Sequence, residues 1–136
     1  MKIVICGSMS ASKQMLEIKN ALEVKGHEIY IPRNTEAYAS GVLSKEDNAE
    51  STQNKVSQDL IRKHYELIKN ADAIVVANYK KGDIDNYIGG NTFLECGFAH
   101  VLSKKLYFIN EIPEVGYADE LKAMQPIILK GDLSCF

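Results

Sequence analysis

Two short stretches of this 136-residue chain carry residue types at spacings that can do chemistry. Gly89-Gly90-Asn91-Thr92-Phe93-Leu94-Glu95 sets a carboxylate near the start of a helical pattern, behind a flexible glycine turn that includes Gly90. The positive end of a helix favours an anionic carboxylate, and such a group can act as a nucleophile. The same letters also fit a capping box, with Thr92 as the cap and Glu95 reaching back to free N–H groups. Asn91 has a similar choice between holding a ligand hydroxyl and capping its helix.

The second stretch is Gly7-Ser8-Met9-Ser10-Ala11-Ser12-Lys13, which joins a short apolar run to a helical pattern. Free backbone N–H groups at such a junction hold phosphate, with Gly7, Ser8 and Ser10 as candidate contacts. A tight serine-capped turn needs no ligand and fits equally. Two sharper motifs fail. A P-loop needs Gly before the lysine and Ser or Thr after it, where this chain has Ser12 and Gln14, and GxGxxG is absent.

Other chemistries find little support. His27, His64 and His100 are isolated, with no His or Cys at metal-ligand spacing, so no metal site is expected. Cys6, Cys96 and Cys135 are an odd, widely spaced set without CxxC, read as reduced thiols of a cytoplasmic protein. Sixteen basic against eighteen acidic residues, net −2, argue against a nucleic-acid partner. No apolar run approaches the roughly 18–20 residues that span a bilayer, so no membrane partner is expected.

The elements that must position these residues alternate short apolar runs with helical patterns. Residues 3–6, 28–31, 73–77, 106–109 and 127–129 read as strands. Met15 to Val24 recurs at helical spacing, opened by Ser10 or Ser12 and closed by Gly26. Further helices are expected over residues 51–70, from about Asn91 to Leu102, and over 119–124. Residues 33–49 are polar and aperiodic and read as a long loop. Strand–helix alternation at this length predicts a single α/β domain over residues 1–136. The expected architecture is a flavodoxin/Rossmann-like three-layer sandwich around a five-stranded parallel sheet of order 2-1-3-4-5. Ligands bind such sheets at the carboxyl ends of the strands, so loops 7–12, 78–91 and 110–117 should matter. Within the second loop, Tyr87 either packs on a sugar or base or pins the loop to the core.

The Gly-Ser loop, Lys69-Asn70-Ala71-Asp72 before the third strand, and Glu95-Cys96-Gly97-Phe98-Ala99-His100 before a Lys-Lys strand occur in a telling order. From Lys2 to about Gly131 the chain resembles the nucleoside 2-deoxyribosyltransferase superfamily, which includes 2′-deoxynucleoside 5′-phosphate N-hydrolases. The resemblance implies that Glu95 attacks the anomeric carbon, that the base leaves, and that water or a second base resolves the glycosyl ester. It gives Ser8 and Ser10 to a 5′-phosphate or sugar hydroxyl and makes Asp72 a candidate contact, although Asp72 can equally complete a turn. Leu121-Lys122-Ala123-Met124 resembles the segment that family members lend to a neighbouring subunit. That implies a homodimer with shared sites, with Lys122 and Met124 as contacts; a solvated helix lysine is the alternative for Lys122. No cofactor is implied.

One position departs from the family. An aspartate that handles the base is expected eight residues before Asp72, where this chain has His64. Histidine titrates near neutrality and can protonate a departing base, or it can be an ordinary half-buried helix residue. Asp59, Asp83 and Asp85 are other stand-ins. The expected activity is N-glycosidic cleavage of (2′-deoxy)nucleoside 5′-monophosphates. The alternatives are base exchange as a deoxyribosyltransferase, a ribonucleotide phosphoribohydrolase, a silent nucleotide-binding module, and an FMN carrier by fold analogy alone.

Overall fold

A computed structural model describes residues 1–32, 35–41 and 59–136. Five strands form one parallel sheet: β1 (Lys2–Cys6), β2 (Glu28–Tyr30), β3 (Ala73–Val76), β4 (Lys105–Phe108) and β5 (Ile127–Ile128). Their order is β2-β1-β3-β4-β5, as the alternating pattern predicts. Register is fixed by pairs such as Ile3 with Ala73, Cys6 with Val76, and Val76 with Phe108. All four residues of β3 are buried. A parallel strand is covered on both faces, which is why Ala-Ile-Val-Val lacks any polar alternation.

The side chains divide by strand parity. Ile3, Ile5, Ala73, Val75 and Tyr107 meet Met15, Ile18 and Leu22 of α1 (Ser12–Val24) on one face. Val4, Cys6, Ile74, Val76 and Phe108 form the other face. There they meet Ile68 of α3 (Leu60–Lys69), Cys96 and Ala99 of α4 (Gly90–Val101), and Leu121 of α5 (Ala118–Ala123). Helix–sheet–helix layering follows directly from these two apolar sets.

Several boundaries differ from the sequence expectation. Neither Ser10 nor Ser12 caps α1; its N-cap is Ala11, and Ser8 instead caps the 3-10 turn Met9–Ala11. Gly26 does close α1. It adopts φ +93° while the Gly26 and His27 amides donate to the Glu23 and Leu22 carbonyls, a Schellman ending. Within the stretch read as loop, Thr35–Ala39 forms a one-turn helix, α2. Residues 33, 34 and 42–58, which hold the rest of that loop and the start of the helix expected over 51–70, lie outside the described residues.

Candidate active site

Helix α4 begins at Gly90, with Gly89 as an extended N-cap that makes no side-chain capping bond. Thr92 is therefore the third helical residue and Glu95 the sixth, which is incompatible with a capping box between them. Asn91 is not the cap either. Thr92, Glu95, Cys96 and Ala99 form the buried stripe of α4, so helical spacing turns the Glu95 carboxylate inward. It is the only charged side chain buried among the described residues, at 7% exposure.

A charge withdrawn from water is costly unless it is paired. The ion-pair partner of Glu95 is His64 on α3, whose Nδ1 lies 3.6 Å from Glu95 Oε1. At that distance they form an ion pair when the imidazole is protonated, without a direct hydrogen bond. The other neighbour is the fully buried Cys6 thiol at the end of β1. Burial pushes this thiol well above the usual range, and the Glu95 charge and a hydrogen bond to Glu95 push it further. Cys96 is raised for the same two leading reasons, burial and then the Glu95 charge. Both thiols stay protonated at neutral pH.

Glu95, His64 and Asn91 open into a cleft between α3 and α4 whose remaining walls include Leu60, Leu94 and Phe98. The enclosed part holds about 40 Å³, room for a water-sized group beside the carboxylate. A wider groove of about 360 Å³ adjoins it across Ile61 and Phe98, reaching Arg62 and Tyr65. Ile61 and Leu94 keep 47% and 44% of their surface exposed. They wall the cleft.

The first loop satisfies itself. Ser8 Oγ accepts from the Ser10 amide at 3.4 Å and from Ser10 Oγ at 3.0 Å. A hydroxyl that accepts twice retains one proton to donate, so Ser8 keeps a donor and Ser10 spends its own within the loop. Gly7 has a packing reason: a Cβ there would stand 3.1 Å from the Ala77 carbonyl oxygen and 3.3 Å from Met15 Sδ. Nothing lies within 4 Å of a Cβ placed on Gly90, which leaves the start of α4 open.

Other expected contacts lie elsewhere. Asp72 stands at the amino edge of the sheet, opposite the cleft. Its carboxylate accepts from the Lys2 amide at 2.8 Å and the Asp72 amide donates to the Lys2 carbonyl, which ties the start of β3 to β1. Tyr87 is half-buried under Lys81, whose Nζ lies 4.9 Å from the ring centre, and its hydroxyl would touch any Cβ on Gly89. Ile88 is buried and its carbonyl accepts from the Tyr117 hydroxyl, so the 79–89 hairpin is pinned down. Lys122 is exposed on the last turn of α5, and Met124 packs on the core beside it; neither lines the cleft of its own chain. Of the stand-in aspartates, Asp59 pairs with Arg62 at 2.8 Å, and Asp83 and Asp85 are exposed on the hairpin.

Sequence reasoning missed a buried asparagine pair. Asn78 donates to the carbonyls of Asn110 and Glu111 and accepts from the Asn110 amide, while Asn110 Nδ2 returns a bond to the Asn78 carbonyl, all at 2.9–3.0 Å. Each lies two residues beyond the paired Val76 and Phe108, so the matched positions after two apolar runs were the available signal. The pair locks the carboxyl ends of β3 and β4 beside the candidate site. In comparisons with known proteins, no family model and no curated protein matches the chain.

Proposed function

We propose that this protein cleaves the N-glycosidic bond of (2′-deoxy)nucleoside 5′-monophosphates through a covalent glycosyl ester on Glu95. The observation that carries the reading is the buried carboxylate itself. It is turned into a cleft by its own helix, with an imidazole 3.6 Å away and the capping role that would explain it otherwise excluded by geometry. Glu95 oxygen bonds to the anomeric carbon as the carbon–nitrogen bond breaks; water then attacks the same carbon and returns Glu95 as a carboxylate. The remaining Ser8 donor and the backbone of the first loop suit the 5′-phosphate.

Lys122 is exposed and free to serve a second copy, which fits a homodimer with shared sites; Met124 is available there only in part. Three free thiols fit a reducing, cytoplasmic setting. The test is chromatographic: deoxy- and ribonucleosides and their 5′-monophosphates are incubated with the protein, with and without an added base. Base release from monophosphates, absent in Glu95→Gln, is the expected result. Exchange that requires an acceptor base would make the protein a transferase, and no release from any substrate would end the glycosidase reading.

A further inference from the structure

The charge and proton inventory of the cleft narrows the substrate. A neutral base departs as an anion unless an acid protonates it at a ring nitrogen or exocyclic oxygen, so that acid must reach the base rather than the nucleophile. His64 Nδ1 lies 3.6 Å from Glu95 Oε1 and is engaged with the nucleophile. Among the described residues lining the cleft, the others are an amide, Asn91, and apolar side chains that include Phe98; in the adjoining groove the Asp59 carboxylate is engaged by Arg62 at 2.8 Å, and the Tyr65 phenol is a weak acid. What the cleft does offer is one buried negative charge and an aromatic wall, a combination suited to a cationic ring.

We propose that the preferred substrates are nucleotides whose base already carries a positive charge, such as N7-alkylpurine or pyridinium 5′-monophosphates. The inference rests on the N-glycosidase reading. The C1′–N bond breaks, its electron pair moves onto the ring nitrogen and cancels the charge, and the base leaves without taking a proton. Glu95 Oε takes up C1′. Water then attacks C1′, its proton passes to solvent, and Glu95 leaves as the carboxylate. His64 is a positioning residue that holds one oxygen of Glu95 and leaves the other to attack.

The experiment compares N7-methyl-2′-deoxyguanosine 5′-monophosphate with its unmethylated counterpart, and adds nicotinamide mononucleotide, each corrected for its rate without protein. An enzyme that protonates its leaving group levels such pairs; one without an acid keeps the gap. The methylated nucleotide is expected to show kcat/KM higher by about 100-fold or more, the scale of a general acid's contribution. His64→Gln should lower kcat on both members by the same factor, because it disturbs the nucleophile they share. Phe98→Leu should reduce the preference for the charged member about three- to tenfold. Equal rates for the pair, or a His64→Gln defect confined to the neutral nucleotide, would overturn the inference and leave the glycosidase reading standing. Failure to cleave any member would remove both.

Discussion

Asp72 and Glu95 are carboxylates at opposite edges of one sheet, and they illustrate two fates of a charge. Asp72 is exposed and accepts a backbone N–H from the neighbouring strand, so its position is explained by the fold alone. Glu95 is buried, caps nothing, and has an imidazole at 3.6 Å and a thiol for company. A fold does not need such a charge, since an apolar residue in its place is commonly neutral or stabilising. The amino edge is therefore where the chain is stitched together, and the carboxyl edge is where it carries a buried charge at an energetic cost, which the proposed function would turn to reactivity.

The sharpest way to break that contrast is to exchange the two roles. Glu95→Gln should lower base release on the order of 10³-fold or more while leaving the urea unfolding midpoint unchanged or raised. Activity in Glu95→Gln at the wild-type level would reduce Glu95 to a second Asp72. Next in size comes the asparagine pair that holds the carboxyl edge. Asn78→Ala removes the three side-chain bonds that a fully buried amide makes to the Asn110 amide and the Asn110 and Glu111 carbonyls, and should cost about 1–3 kcal/mol of stability, measured by urea unfolding. An unchanged midpoint would show that the edge is set by the strands alone.

Legibility in the sequence follows the same division. The sheet order was readable because buried parallel strands announce themselves as unbroken apolar runs such as Ala73-Ile74-Val75-Val76, and because each is separated from the next by helical spacing. The candidate nucleophile was readable as a residue type near a helix start, but its burial was not. Glu95 shares a face with Thr92, Cys96 and Ala99 at i, i+3, i+4 and i+7, but a charged residue within that stripe does not itself announce that the stripe is the buried one. Ile61 and Leu94 are exposed cleft-wall residues that the sequence alone does not separate from core residues, because a cleft wall and a core stripe have the same period. The proximity of His64 and Cys6 to Glu95 depends on three separate elements meeting, which no local pattern encodes.

Alkaline pH sharpens the comparison from the thiol side. Cys6 and Cys96 are raised above their ordinary value of 9.0, first by burial and then by the Glu95 charge. Below pH 9.0 both folded and unfolded chains keep these protons, and the stability they contribute is fully present. Above it the unfolded chain releases them first, so stability falls by about 1.4 kcal/mol per pH unit for each thiol. Unfolding midpoints measured from pH 8 to 10.5 should decline, and Cys96→Ala should remove about half of the slope. In the native protein at pH 8, iodoacetamide should label only the exposed Cys135, with all three cysteines labelled in urea.

The smallest effect belongs to the stitched edge. Asp72→Asn keeps the shape of the side chain and an acceptor oxygen but removes the charge from the bond to the Lys2 amide. Because the group is exposed, water and salt already screen most of that charge, and the cost should be about 0.5–1 kcal/mol. Base release should stay at the wild-type level, since the strands of the sheet separate Asp72 from the cleft. A loss of activity larger than the loss of stability would place Asp72 in the chemistry after all, through a second copy of the chain whose amino edge reaches this cleft.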